Sequence, residues 1–264
     1  MARKARTGTA GLAGAGGMAR ATPPGRTAGG RFMRVVIIRH HAEDSGGLIA
    51  DAFQARGAEL SVRMFPGDDP LPALDGVDHI VMMGSTCSVY DDRAAWIADE
   101  LAWLRGVDEA GVPVLGICFG AQELAVAFGG QVAPAPRPEI GWTMVEPLDH
   151  ELIPAGPWLE FHHDQCVLPA AASLLARNEL GVQAFSVGRH LAVQFHPEVD
   201  GAQFRRWLDV GVWEEARRAG QDPDRLLAET IAQEPAARDR ADRLVASALT
   251  IARGGRVSRP RPTG

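Results

Sequence analysis

The sequence predicts an open, mainly parallel, doubly wound α/β sheet, and three observations lead there. From Met33 to about Gly130, short apolar β-branched runs alternate with longer segments of helical periodicity. One run, Val112-Pro-Val-Leu-Gly-Ile117, ends at a cysteine between two glycines and gives way at once to a helical pattern. That is the mark of a sharp strand-to-helix elbow. Glycines stand where the helical patterns stop, at Gly57, Gly111 and Gly129-Gly130. In such a sheet the site lies at the carboxyl ends of the strands.

Residues 34–38 read as a buried strand, residues 47–56 as a helix closed by Gly57, and residues 59–65 as an alternating strand, so the chain opens with a βαβ unit. A Pro/Asp loop over residues 66–78 precedes a third apolar strand, residues 79–83. An amphipathic helix over residues 91–110 carries Trp96, Leu101 and Leu104 and is capped by Gly111. The strand over residues 112–117 and the elbow helix come next. A proline-rich connection (Pro134, Pro136, Pro138) leads into a strand from Glu139 to Pro147, and short strands over residues 174–176, 182–187 and 191–195 return to the sheet.

Beyond Asp200 the periodicity is wholly helical. One helix covers residues 202–218, with Phe204, Trp207, Leu208 and Trp213, and two more cover residues 222–231 and 235–252, with Pro223 and Pro235 near their starts. Their apolar stripes and charged outer faces read as packing, with a lid or a docking surface for a partner as the alternative. The expected organisation is therefore a tail (1–32), a main α/β domain (33–200) and a helical extension (201–264) whose basic, Pro/Gly-rich end is loose.

Composition bounds the function. A chain of 264 residues with 46% apolar content can bury a sizeable core. No uninterrupted apolar run reaches the roughly 18 residues that span a bilayer, so a soluble protein without a membrane partner is expected. Cys87, Cys118 and Cys166 are too few and too scattered for a disulfide framework, which points to a reducing, cytoplasmic compartment. Residues 1–32 hold Arg3, Lys4, Arg6, Arg20, Arg26 and Arg31, no acid and hardly a large apolar side chain, so they are expected to be disordered. Met33 opens the first strand directly, and a translation start placed too early accounts for the tail equally well. The whole chain carries −6 and the tail +6, leaving −12 on the rest. A body this acidic is a poor match for a phosphate backbone, so no nucleic acid is expected.

The chemistry-bearing residues lie in two motifs. Cys118 sits at a helix N-terminus, where the dipole and unpaired N–H groups favour thiolate over thiol. Gly116 and Gly120 supply the small neighbours that a crowded elbow needs. A cysteine closing an apolar strand also serves as plain core packing. What separates the two readings is the second motif, Val193-Gln-Phe-His-Pro-Glu198. His196 and Glu198 lie two apart and project to the same side of an extended chain. The carboxylate can hold one imidazole nitrogen while the other faces a thiol, which supplies a nucleophile, a base and an orienting group.

Gly116-Ile-Cys-Phe-Gly-Ala-Gln122 and Gln194-Phe-His-Pro-Glu198 resemble the two signatures of the class I (triad) glutamine amidotransferases, and of its branches most the stand-alone, GMP-synthase-like one. The similarity runs from about Met33 to Asp200. It implies a flavodoxin-like fold and a γ-glutamyl thioester chemistry in which Cys118, His196 and Glu198 are catalytic. It further implies an oxyanion met by backbone N–H groups of Phe119 and of the Gly84–Ser85 loop, with Gln122 helping to hold glutamine. No organic cofactor and no metal are implied. At residues 84–91 the family pattern is Gly-Gly-Pro followed by Ser-Val. Gly84 and Ser88-Val-Tyr-Asp91 match it, whereas Ser85 and Thr86 replace the second glycine and the proline, a departure that bears on the loop and on oxyanion stabilisation.

Glu139-Ile-Gly-Trp142 and Phe161-His-His-Asp164 before a Leu-Pro turn extend the resemblance. His162 and Asp164 as metal ligands would need partners that the sequence does not show, so a role in the site wall or the scaffold is expected. Cys87 receives no role. No Gly-x4-Gly-Lys-Ser/Thr loop and no dinucleotide fingerprint provide an acceptor half. Three readings stay open: a subunit releasing ammonia for a separate synthetase partner, a self-sufficient hydrolase or peptidase on a γ-glutamyl compound, and a non-catalytic binding protein on the same fold. The intact Cys-His-Glu set argues against the third.

Overall fold

Apolar runs too short for helices pair as strands, and the longer amphipathic segments between them cover the faces. The computed structural model describes residues 30–67 and 70–254. In chain order the elements are β1 (Arg34–Arg39), α1 (Gly47–Ala55), β2 (Glu59–Met64), β3 (His79–Met82), α2 (Trp96–Glu109), β4 (Val114–Ile117), α3 (Phe119–Ala127), β5 (Gln131–Pro147), β6 (Gly156–Val167), β7 (Ser173–Arg177), β8 (Val182–Val187), β9 (His190–Val193), α4 (Gly201–Trp207), α5 (Trp213–Arg218) and α6 (Pro223–Ala252). One nine-stranded sheet has the order β2-β1-β3-β4-β9-β8-β7-β5-β6. The first five of these pair in parallel, and from β9 outward the pairing is antiparallel. The doubly wound sheet expected from the sequence is thus extended by an antiparallel wing.

Alternation along the strands sends side chains to two cores. Val35, Ile37, Val81, Leu115, Ile117 and Val193 pack beneath α1 and α6, with Leu48, Ile49, Phe53, Leu244, Val245 and Ile251 opposite them. Val36, Ile38, Ile80, Met82 and Ala192 pack on the other face against Leu104 and Val107 of α2 and Leu124 and Ala125 of α3. The amphipathic stripe of α6 therefore covers the same sheet face as α1. No helix among the described residues is long and apolar enough to cross a membrane.

Four local expectations are corrected. The helix expected from residue 91 begins at Trp96, because the Asp91 carboxylate accepts the Arg93 N–H (3.1 Å) and its carbonyl the Ala94 N–H (3.1 Å), closing a turn first. The proline-rich connection is part of β5, whose ladder with β6 shifts register between Pro134 and Glu139. β5 meets β7 only at Glu146 and Pro147, so no neighbour on that side needs the missing proline N–H groups. The helix expected over residues 202–218 is interrupted by a π-helical turn, Leu208–Val212, at Gly211 (φ 104°). The last two helices are one, α6, with Pro235 on its exposed face, where solvent can reach the carbonyl the proline leaves unpaired.

Residues 1–29 and 255–264, and with them most of the expected tail and loose end, lie outside the described residues. Arg31, at the tail's edge, donates to both Asp78 carboxylate oxygens at 2.7 and 2.6 Å.

Candidate active site

The elbow is built as the sequence demands. Cys118 follows β4 directly, precedes the first residue of α3 and is buried. Among the described residues it is the only non-glycine with positive φ (51°). That backbone is held in place: the Cys118 N–H bonds the Val193 carbonyl at 2.8 Å, and its own carbonyl accepts from Ala121 and Gln122 at 3.1 Å. A Cβ on Gly116 would lie 2.5 Å from the Gly120 carbonyl oxygen, and one on Gly120 2.5 Å from Met82 Cβ. Only glycines let strand and helix close this tightly.

β9 pairs with β4 in parallel, so the chain leaving it passes beside the elbow. The buried His196 Nδ1 is 2.8 Å from Glu198 Oε1. Burial lowers the imidazole pKa, but the charges of Glu198 and Cys118 outweigh it and hold the group well above its usual value. A Cβ on Gly84 would lie 3.2 Å from His196 Cε1 and 3.8 Å from Cys118 Cβ, so the loop after β3 abuts both side chains.

A cavity of about 620 Å³ opens there, lined among others by Cys118, His196, Gly84, Ser85, Thr86 and Gln122. Five of the seven residues singled out from sequence thus share one cavity. Glu198 stands behind His196, and the Phe119 side chain turns into the core against Trp96 (ring centroids 5.7 Å apart), leaving its backbone N–H at the helix N-terminus. Gln194, given no role by sequence, donates from Nε2 toward Cys118 Sγ at 3.6 Å. Its Oε1 lies 3.4 Å from Gln122 Nε2 and 3.8 Å from Cys166 Sγ. Burial and the neighbouring Cys118 push the Cys166 pKa up to about 12, so it remains a thiol donor.

Of the remaining walls, one was expected from sequence as site wall or scaffold and the other was not. Phe161, His162, His163 and Asp164 of β6 line one side. Asp164 accepts from Ser88 Oγ (2.6 Å) and Tyr90 Oη (2.7 Å), which ties this wall to the loop after β3. Trp207, which reads as part of an apolar stripe, stands edge-on to His196 at 5.0 Å and donates Nε1 to Asp44 at 2.8 Å. Burial raises the Asp44 pKa, and the Trp207 bond partly offsets it. Neither residue carries a sequence signal, because they meet only when α4 folds back over the turn before α1. Cys87 lines the cavity too, and its N–H bonds Ser85 Oγ at 3.2 Å.

Two groups place histidine and carboxylate ligand atoms within metal-binding reach: His40 with Glu100 and Glu123, and His162 with Glu139 and Glu160. In both, each ring nitrogen already has a protein partner. His40 Nδ1 meets the Gly84 carbonyl at 2.9 Å and Nε2 meets Glu100 at 3.1 Å. His162 Nδ1 meets the Asp164 carbonyl at 2.9 Å, and Nε2 lies 3.1 Å from Glu160 and 3.2 Å from Glu139. Burial disfavours the charged imidazole, but hydrogen bonds to Glu139 and Glu160 win and raise the His162 pKa to about 10. His162 thus favours its charged form between two buried acidic side chains.

The family model described as glutamine amidotransferase class-I matches residues 44–213, from the turn before α1 to the start of α5. A glutamine-hydrolysing GMP synthase of Thermomicrobium roseum is 36% identical over 174 residues, 62% of this chain and 31% of that protein. One subunit of the glutamine-hydrolysing GMP synthase of Thermoplasma volcanium is 33% identical over 185 residues, 65% of this chain and 88% of that subunit. The chain thus spans about a third of the first relative and most of the second. A crystal structure of a glutamine amidotransferase from Thermotoga maritima superposes with a TM-score of 0.75 at 25% identity, covering 83% of this chain and 97% of that one. The family match takes in strands β2 to β9 and every residue discussed above from Asp44 to Trp207, and on that ground this chain belongs to the class I glutamine amidotransferases.

Proposed function

We propose that this chain hydrolyses the side-chain amide of glutamine through a thioester on Cys118, releasing glutamate and supplying ammonia to a separate synthetase partner. The observation that carries this reading is the meeting of the positive-φ Cys118 with the His196–Glu198 pair (2.8 Å) on one cavity. In this mechanism His196 takes the thiol proton and the sulfur attacks the amide carbon. The C–N bond then breaks as His196 returns the proton to the departing amine, and ammonia leaves. Water, deprotonated by His196, attacks the γ-glutamyl thioester, and glutamate and the free thiol result. Glu198 orients the ring and favours its charged form. The N–H groups of Phe119 and Ser85 meet the negative oxygen of the tetrahedral intermediates, and Gln122 contacts the substrate. The partner is suggested by the match over 88% of a relative that is itself described as a subunit.

A second reading rests on the cavity. About 620 Å³ falls in the range filled by drug-sized ligands, more than one amino acid needs, and it favours a γ-glutamyl conjugate hydrolysed without a partner. Glutamate release from glutamine and from a panel of γ-glutamyl amides, by the purified chain and by Cys118→Ala, tests both. Cys118-dependent turnover of glutamine supports the first reading and preference for a conjugate the second. Absence of any Cys118-dependent release overturns both.

A further inference from the structure

The loop after β3 is held by two adjacent histidines that the mechanism above does not use, His40 from behind and His41 from the cavity side. His40 is buried outside the cavity, and its Nδ1 lies 2.9 Å from the Gly84 carbonyl oxygen. That oxygen only accepts, so Nδ1 carries the proton. The next residue, His41, accepts the Thr86 N–H at its Nε2 across 3.2 Å. Ser85 Oγ takes the Cys87 N–H at 3.2 Å. Of the N–H groups at Ser85, Thr86 and Cys87, only that of Ser85 has no acceptor among the described residues.

Peptide planarity turns this into a statement about direction. The Gly84 carbonyl and the Ser85 N–H belong to one peptide unit and point opposite ways across it. With the carbonyl held back against His40, the Ser85 N–H faces the cavity side, where Gly84 abuts Cys118 and His196. We propose that His40 and His41 are positioning residues that clamp this loop with the Ser85 N–H aimed at the reacting oxygen. The proposal rests on the thioester mechanism above. The clamp does the work of the second glycine and the proline that Ser85 and Thr86 replace: Thr86 brings an N–H that a proline lacks, and His41 engages it.

The clamp has its own support. His40 Nε2 is 3.1 Å from Glu100 of α2, and ligand atoms of His40, Glu100 and Glu123 all lie within 4.8 Å of one another. Glu123 belongs to α3, the helix whose first N–H is that of Phe119. Burial, reinforced by Glu100, raises the Glu123 pKa well above the usual range. The two backbone donors thus share one buried anchor, with His40 also wedged between Trp96 (5.4 Å) and Phe119 (5.1 Å).

The test compares His40→Leu, His40→Asn and His41→Leu with the wild-type chain. The amide nitrogen of asparagine stands near the position of the ring Nδ1, so His40→Asn retains a donor to Gly84. Three quantities are measured: kcat and KM for glutamine, the affinity of glutamate γ-semialdehyde, whose adduct with Cys118 carries the same oxygen, and the rate of Cys118 alkylation by iodoacetamide, which develops no such oxygen. For His40→Leu, kcat and aldehyde affinity are expected to fall together by about 10²-fold or more, the effect of losing one such donor. KM and the alkylation rate should stay within about threefold, and His40→Asn should recover most of the loss. A His40→Leu kcat within threefold of wild type, alkylation that falls in step with kcat, or an asparagine variant as impaired as the leucine one overturns the clamp. If His40→Leu does not fold, the half-buried His41→Leu decides: a drop of roughly tenfold in kcat with unchanged alkylation supports the clamp, and no change overturns it. A wild-type chain with no Cys118-dependent turnover instead overturns the mechanism on which the clamp rests.

Discussion

Glu198 holds His196 with its side chain and α1 with its backbone. Oε1 meets His196 Nδ1 at 2.8 Å, while the carbonyl oxygen accepts the Leu48 N–H at 2.9 Å. The Glu198 residue is therefore fixed from two sides, and substitutions at Glu198 separate charge from scaffold.

Glu198→Gln keeps the backbone anchor and removes the charge. We expect kcat for amide hydrolysis to fall by about 10²–10⁴-fold. The raised pKa of His196 should come down, because burial already opposes the charged ring and Glu198 is the largest opposing charge. Proton NMR of the His196 ring reads this directly, and an unmoved titration would contradict it.

Gly120→Ala and Gly106→Ala form a contrasting pair. A Cβ at Gly120 meets Met82 Cβ and carbonyl oxygen at 2.5 Å, whereas one at Gly106 in α2 meets nothing within 4 Å. We expect the first to destabilise by roughly 3 kcal/mol or more. The second should stabilise by about 0.5–1 kcal/mol through helix propensity alone. Urea unfolding distinguishes them.

The His162 cation gives stability a pH dependence. Its folded pKa of about 10 exceeds the ordinary 6.5, so its contribution is complete below pH 6.5 and is lost as pH rises towards 10. Glu160, raised by burial, acts in the same direction. The unfolding free energy should therefore fall between pH 6.5 and 10, with the raised His196 contributing in the same direction, and His162→Gln should remove the share of that slope due to His162. An equal slope in both proteins would refute the assignment.

Pro235 interrupts the hydrogen bonds of α6 on an exposed face. Pro235→Ala restores an N–H donor, and we expect a gain of about 1–3 kcal/mol in thermal unfolding experiments. A loss would mean that the local bend is required for the packing of Ala237 and Ala241.

The legible parts of this chain were those carried by local physics. The parallel strands and the elbow announce themselves because a buried strand is apolar throughout and because Gly116 and Gly120 flank Cys118. Phe161-His-His-Asp164 was legible as a segment of the site wall or scaffold but not as a strand, because it breaks apolar alternation, its polar side chains being satisfied by Glu160 within β6 and by Ser88, Tyr90 and Glu215 from elsewhere in the fold. Trp207, Asp44, His40 and Glu100 were illegible for the same reason: each acquires its partner through tertiary contact. The single helix through Pro235 shows the reverse case, packing of α6 overriding a strong local stop signal.

The sheet changes direction at β9, and this separates two kinds of freedom. Cys118, Gly84 and His196 each follow a parallel strand, whereas the wall from Phe161 to Asp164 belongs to β6, at the outer edge and paired with β5. A substitution in an interior parallel strand disturbs a ladder on both sides, but one in β6 disturbs a ladder with β5 alone. Selection can therefore remodel the outline of the cavity without moving the sulfur, and a lineage changing its substrate would record that history first in β6 and in the Leu208–Val212 turn.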